Sequence, residues 1–291
     1  MFPDKLNIPL GKSVNALVDW LVVHYGDAFE TFADALLSVL VWLEHLLRAT
    51  PWWLVIIIIA AIAFHASKSW KTTLGIAAAM LAIGMLGLWD KAMQTLALMI
   101  IATGLSVIIG IPVGIGMAMS NKLRAIMVPV LDVMQTMPSF VYLIPALMLF
   151  GLGKVPAILA TVIYAAPPVI RLTDLGIRLV DKEVIEASRS FGASRAQILW
   201  GVQLPLALPN IMAGINQTTM MSISMVVIAS MIGARGLGEQ VLTGIQRLDV
   251  GQGVEAGIAI VLLAVVFDRI GQSYGKRSGR GGSRSKAGDG A

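Results

Sequence analysis

Residues 92–120 read AMQTLALMIIATGLSVIIGIPVGIGMAMS and contain no Asp, Glu, Lys or Arg. About 20 apolar residues in an α-helix cross the hydrocarbon core of a bilayer, so this stretch is long enough to span it. The rest of the chain fits this interpretation, because 57% of its 291 residues are hydrophobic and only 13% are charged. Soluble domains carry about 25% charged residues. The composition therefore predicts an all-α integral membrane protein.

Further apolar stretches lie on both sides of this segment. They cover residues 49–67, 72–89, 125–150, 155–170, 206–233 and 254–267. Lysine and arginine in short loops remain on the cytoplasmic side of a membrane. In this chain they concentrate in alternate loops, after residues 67, 120 and 170, and they recur after the last stretch. The pattern predicts about seven transmembrane helices, with the N-terminus outside and the C-terminus inside.

This division of the chain defines three regions. Residues 49–271 form the predicted transmembrane domain. Residues 1–48 are predicted to be an amphipathic helical extension, extracytoplasmic or at the membrane interface, because acidic residues interrupt an apolar face at helical spacing. That face contains Phe29, Phe32, Leu36, Leu40, Leu43 and Leu47. Residues 272–291 are basic and rich in Gly and Ser, which predicts a disordered cytoplasmic tail.

Composition also limits the chemistry open to the chain. It contains no cysteine, which excludes disulfides and thiolate metal ligands. The phosphate-binding pattern GxxxxGK(S/T) is absent, the three histidines at positions 24, 45 and 65 are scattered, and no metal-spaced ligands occur in the apolar stretches. The basic residues lack interleaved aromatics, so no nucleic-acid partner is expected. The sequence predicts a non-catalytic chain with no metal site and no cofactor of its own.

The connection from Arg171 to Pro205 is unusually long for a loop between two spans, and it is patterned throughout. Gly192 is typical of a helix C-terminus, and Ser194 with Gln197 predicts a capping box at the start of a second helix. Small and apolar residues recur every three or four positions on one face of the first helix: Val180, Val184, Ala187, Ser188 and Phe191. The pattern predicts two short amphipathic helices joined by a sharp turn, which is a shape suited to docking.

One motif in this loop keeps a fixed spacing. Glu186-Ala187-Ser188 is followed after three residues by Gly192, and after nine more by Val202, Gln203, Leu204 and Pro205. This motif resembles the EAA loop of ABC importer permeases, with Ser188 and Val202 as conservative replacements. The resemblance implies a type I ABC importer permease-like bundle whose loop inserts into a cleft on a separate nucleotide-binding ATPase subunit. Glu186 would then make polar contact with the ATPase, Ala187 and Ser188 would permit close approach, and Gly192 would form the turn.

Three further segments narrow the resemblance. They are LDVMQTMPSFVYLIP from Leu131, APPVIRLTDLGIR from Ala166 and MIGARGLG from Met231. All three are similar to the glycine betaine/proline betaine permeases. Membership of that family implies a homodimer of this subunit in the bacterial cytoplasmic (inner) membrane, with two copies of an ATPase subunit that uses ATP and Mg. It also implies an extracytoplasmic substrate-binding protein that delivers a quaternary ammonium osmolyte such as betaine, choline or carnitine.

Residues for a translocation pathway are suggested by the fourth apolar stretch. Its prolines, Pro129, Pro138 and Pro145, are expected to break the helix there, and broken helices often line cavities. Asp132 and Gln135 lie one turn apart near Pro138, and an ionisable group within a span is a functional hypothesis. Phe140 and Tyr142 follow, and aromatic faces attract quaternary ammonium groups. Two other interpretations remain open: Asp132 as a packing or gating contact near the cytoplasmic interface, and the aromatics as packing residues.

Alternative functions also remain open at this level. An ABC permease for methionine or a sulfonate would share the EAA loop. A proton-coupled secondary transporter would usually show inverted repeats and intramembrane carboxylates. No convincing repeat is visible in the sequence, and Asp132 is nearly alone among the apolar stretches. The sequence therefore favours an ABC importer, with ATP dependence as the property that separates the two classes of transporter.

Overall fold

A computed structural model describes residues 10–283 of the chain, with the side chains of residues 11–275. In that range the chain forms helices joined by short turns. The helices are α1 (Leu10–Ala49), α2 (Trp52–Ser67), α3 (Trp70–Met85), α4 (Trp89–Met119), α5 (Asn121–Thr136), α6 (Ser139–Phe150), α7 (Lys154–Arg178), α8 (Lys182–Ser190), α9 (Arg195–Ile198), α10 (Leu204–Ala229), α11 (Leu237–Arg247) and α12 (Val250–Ser283). The all-α fold class predicted from composition is confirmed.

Four of the described helical segments are long and apolar enough to cross a membrane, and the number rises to six if each of two bent pairs counts as one span. The four are α4, α7, the segment from Arg195 to Ala234, and α12 up to Gly275. α3 is apolar but has only 16 residues, about 24 Å of helix, which is short for a hydrocarbon core of about 30 Å. The number of seven spans and their orientation therefore stay predictions.

Helix α7 is the centre of the bundle, because 72% of the residues in its most apolar 18-residue stretch are buried. It lies between α4 and α10, and glycines on both neighbours allow the backbones to come close. A Cβ atom on Gly114 of α4 would lie 2.6 Å from the carbonyl oxygen of Ile170. A Cβ atom on Gly214 of α10 would lie 3.0 Å from the Cα of Val169. These contacts fix α4, α7 and α10 to one another over several turns.

The bundle has two ends, which we name by the helix each one holds. At the α1 end lie α1 and the first residues of α4, α7 and α11. Lys154 at the start of α7 pairs there with Glu44 of α1, and Lys91 of α4 pairs with Glu239 of α11. At the α8 end lie α8, the last turns of α4 and α7, and the first turns of α5 and α10. The weakly basic loops of the sequence thus meet at one end and the strongly basic loops at the other.

The connection predicted to begin at Arg171 is shorter than expected, because α7 continues to Arg178. Arginines at positions 171 and 178 are not loop residues, since each lies within α7 and is paired with an aspartate. Arg171 donates to Asp132 at 2.6 Å, and Arg178 donates to Asp174 at 2.8 Å. Because an aspartate neutralises each of these cationic side chains, the helix can continue past them and does not have to end at the membrane boundary. The projecting connection is therefore limited to residues 179–194.

The second helix of this connection is not a separate element, which corrects the expectation of two short helices ending at Pro205. α9 continues through a π-helical turn, Leu199–Gln203, directly into α10. Pro205 lies in the first turn of α10, and the amide of Leu204 donates to the carbonyl of Leu199, five residues back. A π turn is wider than an α turn, so it relieves the clash that a proline causes with the preceding turn. The chain is helical from Arg195 to Met231, and a kink at Ile232 and Gly233 ends this run.

The fourth predicted span is bent by 98° between α5 and α6. Only one of its three prolines breaks the helix. Met137, directly before Pro138, has φ −69° and ψ 136°, the extended backbone that a following proline favours. Pro129 and Pro145 lie inside α5 and α6 instead, which shows that these helices accommodate the missing hydrogen bond, as membrane helices often do.

The N-terminal extension forms one helix, α1, which is bent by 107° from α2. Leu36 and Leu40 are buried in the core cluster with residues of α4, α6 and α7, while Leu43 and Leu47 pack at its margin. Phe29 meets Phe150 at the end of α6, with ring centroids 5.6 Å apart. Phe32, predicted on the same face, is half exposed and lies outside it. The apolar face of α1 therefore packs on the α1 end of the bundle, and the extracytoplasmic or interfacial position of this extension stays a prediction.

The basic tail predicted for residues 272–291 is helical at its beginning. α12 continues to Ser283, so the expected disorder does not apply to residues 272–283. Extending an existing helix by one residue orders only that residue, whereas starting a new helix orders several residues at once. The helix from Val250 to Gly275 is therefore more easily extended than broken. Residues 284–291, the rest of the predicted tail, lie outside the described residues.

Candidate functional site

The connection between α7 and α10 is built from strong local signals. Asp181 caps α8, its side chain accepting a hydrogen bond from the amide of Glu183 at 3.0 Å. α8 ends at Gly192, whose φ of +81° reverses the chain, and the amide of Ala193 donates to the carbonyl of Ser188. Glycine adopts this left-handed conformation without strain. The predicted role of Gly192 in forming the turn is thus supported by its geometry.

Helix α8 projects from the bundle with none of its residues buried. Glu186 and Ala187 of the EAA-like motif are exposed, and Ser188 is partly buried with its hydroxyl bonded to the carbonyl of Val184. Phe191, at the C-terminal end of the helix, is 92% exposed, and Val184 is 40% exposed. Exposed large apolar side chains on a projecting helix are typical of a surface for another protein. Docking through α8 stays a prediction at this point.

The second half of the motif is anchored instead of projecting. Ser194 and Gln197 form the predicted capping box, with the amide of Ser194 donating to the Gln197 side chain at 2.8 Å. Ile198 and Leu199 are buried, and Leu204 packs in a cluster with Ile177 and Leu199. Pro205 is exposed at the start of α10. The motif residues therefore divide into an exposed group on α8 and a packed group at the base of α10.

A cleft of about 260 Å³ separates these two groups. Arg189 of α8 and Arg195 of α9 lie at its edges, and Ile185 of α8 faces the buried Ile177 and Ile198 across it. Ile185 is the one large apolar residue of α8 that turns toward the bundle. The cleft leaves α8 attached mainly through its two ends, at Asp181 and at Gly192.

A buried carboxylate lies directly behind this docking element. Asp174 of α7 is 4% exposed and accepts hydrogen bonds from Arg124 at 2.9 Å and from Arg178 at 2.8 Å. Arg178 also donates to the carbonyl oxygen of Met117, at the end of α4, at 2.7 Å. The three side chains join the last turn of α7 to the α4–α5 turn. Asp174 and Arg178 are spaced i, i+4 on a helix, which is a signal for an ion pair that sequence analysis could have used.

The residues predicted to line a pathway do not share one environment. Asp132 is half exposed and pairs with Arg171 of α7 at 2.6 Å. Gln135, Pro138 and Phe140 are exposed on the outer face of the α5–α6 bend. Tyr142 is buried, donates its hydroxyl to the carbonyl of Met134 at 2.6 Å, and meets the ring of Tyr164 edge-on. The structure therefore places Tyr142 in the packing of the bend and leaves the other four at the surface.

Neutralising Asp132 tests its role. Because its carboxylate is half exposed and already paired with Arg171, we expect Asp132→Asn to lower stability by at most about 1 kcal/mol, the usual value of an exposed ion pair. A mutation that raises KM with kcat unchanged has removed an interaction that binds the substrate. Because Asp132 is not expected to bind the substrate, we expect the KM for transport to stay within about twofold of the value for the unsubstituted protein. Uptake kinetics at several substrate concentrations measure this. A large rise in KM with unchanged assembly and basal ATP hydrolysis would instead assign Asp132 to substrate contact.

Charged residues also connect the helices at the α1 end. Glu44 of α1 is 6% exposed and bonds to Lys154 of α7 and to Arg48 on its own helix. Arg48 in turn donates to Asp90, the second residue of α4. The ammonium of Lys91 donates to Glu239 at 2.7 Å, and this bond lowers the pKa of the Glu239 carboxyl. Glu44 and Arg48 are spaced i, i+4, which is a signal for an ion pair that the sequence also contains.

Residues 107–278 match the protein family described as "Binding-protein-dependent transport system inner membrane component". The matched segment begins in α4 and contains α5 to α11, with the whole projecting connection. The charge cluster around Asp174 and the α5–α6 bend also fall within it.

Full-length relatives are similar over nearly the whole chain. The glycine betaine/proline betaine transport system permease protein ProW of Escherichia coli is 47% identical, over 96% of this chain and 79% of that protein. The glycine betaine transport system permease protein OpuAB of Bacillus subtilis is 45% identical, over 94% of this chain and 97% of that protein. The glycine betaine/carnitine transport permease protein GbuB of Listeria monocytogenes is 43% identical, over 95% of this chain and 99% of that protein.

A solved structure shares the fold. A chain of the MetNI methionine ABC transporter, in an inward-facing conformation, superposes with a TM-score of 0.59. The match covers 64% of this chain and 93% of that one, at 23% sequence identity. It supports the bundle described above as an ABC importer permease fold, and at this identity it says nothing about substrate.

Proposed function

The chain belongs to the family of binding-protein-dependent transport system inner membrane components, and from this premise we propose how it works. It is the transmembrane permease subunit of an ABC importer in the bacterial inner membrane. It moves a quaternary ammonium compatible solute inward by alternating access, and a separate ATPase subunit drives the movement. The chain itself carries no nucleotide-binding loop and hydrolyses nothing.

The exposed helix α8 is the observation that carries this proposal. A helix with no buried residue, an acidic side chain at Glu186 and an unpaired apolar tip at Phe191 needs a partner to cover it. The spacing from Glu186 to Pro205 is that of the EAA loop, which binds the ATPase subunit in ABC importers. We assign Glu186 to polar contact with the ATPase, and Ala187 and Ser188 to close approach. We assign Gly192 to the turn, and Leu204 and Pro205 to the packed base of the element.

Two routes lead from this docking element into the membrane domain. One passes through Arg178 and Asp174 to the α4–α5 turn, because these side chains are bonded to one another and to Met117. The other is the helix that begins at Arg195 in the docking element itself and continues to Met231, before the kink at Ile232 and Gly233. A displacement of α8 by the ATPase would therefore reach α4, α7 and α10 together, and the glycine contacts at Gly114 and Gly214 would hold the three as one unit.

The substrate class is drawn from the relatives. ProW, OpuAB and GbuB are named for glycine betaine, and GbuB also for carnitine. A further relative, OpuBB of Bacillus subtilis, is named for choline and is 33% identical over 62% of this chain. These names favour a quaternary ammonium solute over methionine or a sulfonate. Family membership likewise favours an ATP-driven importer over a proton-coupled carrier.

The complete assembly would contain more than this chain. We propose two copies of the permease, two ATPase subunits that use ATP and Mg, and one extracytoplasmic substrate-binding protein, arranged with the α8 end in the cytoplasm. The pathway would run along the face that carries Gln135, Pro138 and Phe140, which are exposed in the single subunit. Asp132 would lie at the edge of this face, held by Arg171 and out of contact with the substrate. Tyr142 would support that face from behind.

Uptake measurements test the proposal. Transporter-deficient cells that express this chain with a cognate ATPase and binding protein are expected to take up labelled glycine betaine, choline or carnitine saturably. Uptake should fall to the background level when the ATPase subunit is left out, because the chain has no energy source of its own. Labelled methionine is the comparison solute.

Two outcomes would change the proposal in different ways. Saturable uptake of methionine alone would keep the ABC architecture and replace the substrate class. Betaine uptake that persists without the ATPase subunit would contradict the importer mechanism itself.

A further inference from the structure

Two glycine-containing turns meet at the α1 end of the bundle. One, residues 151–153, joins α6 to α7, and the other, residues 233–236, joins α10 to α11. A Cβ atom on Gly233 would lie 3.8 Å from the amide nitrogen of Gly153 and 3.9 Å from the Cβ of Leu152. The two turns are therefore in contact. We call residues 151–153 and 233–236 together the two-turn platform.

Arg235 on this platform has an unusual backbone. Its φ of 58° and ψ of 158° lie in a region that is essentially restricted to glycine. Both sides of the residue are fixed: Ala234 is fully buried, and the amide of Leu237 donates to the hydroxyl of Thr95 at 2.9 Å in the interior. The strained residue could not relax without pulling Leu237 out of the core. An arginine at a position that suits glycine suggests that its side chain has a function.

The side chains of the platform face solvent. Arg235 is exposed, and its charge adds to that of Lys91 in lowering the pKa of the Glu239 carboxyl. It forms no direct ion pair with any residue whose side chain the structure describes. Leu152, across the contact between the turns, is 80% exposed and is flanked by Gly151 and Gly153, both with positive φ. An exposed large apolar residue on the same platform as an exposed cation makes a small, rigid contact surface of the kind that concentrates binding energy.

An acidic groove adjoins the platform. A cleft of about 520 Å³ lies between α1 and the α6–α7 turn, with Leu152 and Gly153 on one wall. Asp27, Glu30 and Asp34 of α1 line the other wall and are exposed. Anionic lipid headgroups would be repelled by these carboxylates. A folded protein surface can offer a carboxylate to Arg235 and basic side chains to the groove at once, so the charge pattern favours a protein partner.

We propose that the two-turn platform, with the acidic groove beside it, is the surface on which the extracytoplasmic substrate-binding protein docks. Leu152 makes the apolar contact, and Arg235 pairs with a carboxylate of the binding protein. The inference rests on the proposed function, which requires such a protein and places the α1 end outside the cytoplasm. The inference adds the residues of the permease that contact the binding protein.

The test uses the permease and its ATPase reconstituted in lipid vesicles, with ATP hydrolysis measured as the solute-loaded binding protein is titrated. Arg235→Gly is the decisive variant, because glycine suits the backbone and removes only the side chain. We expect the binding-protein concentration for half-maximal stimulation to rise about tenfold or more, a typical cost of losing an interfacial charge pair. Basal hydrolysis should be unchanged. Lys68→Glu, at another exposed residue with positive φ but between α2 and α3, is the control and should titrate normally.

Each result has a definite meaning. If Arg235→Gly titrates like the unsubstituted protein, the platform is not the docking surface. A defect in solute KM at saturating binding protein would assign Arg235 to the solute, and a defect confined to vesicles with anionic lipid would assign it to lipid, so either result overturns the proposal. If the unsubstituted protein is not stimulated by any quaternary ammonium binding protein, the proposed function fails instead.

Discussion

Replacing Glu186 by lysine is expected to abolish stable binding of the ATPase subunit. Glu186 is exposed on a helix with no buried residue, so its substitution leaves the fold of the permease intact. Reversing a charge at an interface both removes a favourable pair and places two like charges together, which costs several kcal/mol. We expect ATPase affinity to fall by at least about 100-fold, equivalent to about 2.7 kcal/mol. Transport should fall with it.

Co-purification of the ATPase with tagged permease measures this effect, and solute uptake by the same cells measures its consequence. Glu186→Gln keeps the size of the side chain and should bind with intermediate affinity. Glu30→Lys makes the same charge reversal on an exposed residue of α1, at the other end of the bundle, and should retain the ATPase. Normal co-purification and transport by Glu186→Lys would remove the assigned docking role.

The second substitution with a large expected effect lies in the centre of the bundle and lowers stability. Gly114→Ala adds a Cβ atom that would lie 2.6 Å from the carbonyl oxygen of Ile170 and 2.7 Å from the Cβ of Thr173. Both atoms belong to the central helix α7, so relief requires α4 and α7 to move apart. Overpacking of this kind usually costs about 1–3 kcal/mol. We expect lower expression and a lower melting temperature in detergent.

Gly104→Ala is the matched control for this prediction. Gly104 lies on the same helix, α4, and an added Cβ atom there would meet nothing within 4 Å. Alanine also has the higher helix propensity, by about 1 kcal/mol in a helix interior. Gly104→Ala should therefore be as stable as the unsubstituted protein or slightly more so. Equal melting temperatures for the two variants would show that α4 and α7 are not as tightly packed as the structure indicates.

Local signals in the sequence predicted the turn between α8 and α9 well. Gly192, Ser194 and Gln197 each act through hydrogen bonds to residues three or four positions away, so their effect does not depend on the rest of the fold. The all-α class and the ABC permease fold were likewise predictable, because hydropathy and the motif spacing are properties of the chain alone. These signals could not predict how α8 and α9 are attached to the bundle.

That attachment depends on pairs of residues distant in sequence. Arg171 and Arg178 look like loop residues in the sequence, because basic residues gather at membrane surfaces. In the structure Asp132 and Asp174 pair with them, and α7 runs on to Arg178. Pro205 similarly suggested a helix boundary, whereas the π turn before it keeps α9 and α10 continuous. Such outcomes are decided by tertiary partners, which a single sequence does not identify.

The continuous helix from Arg195 to Met231 can act as a lever. Its 37 residues end at the kink formed by Ile232 and Gly233 and correspond to about 55 Å of helical rod, and its two ends lie in different compartments under the proposed topology. If such a rod pivots by about 5° near one end, its far end sweeps about 5 Å, enough to open or close a passage for a small solute. Motion of the ATPase would then displace the far end of this helix at the opposite membrane surface directly, without intermediate rearrangements of other helices.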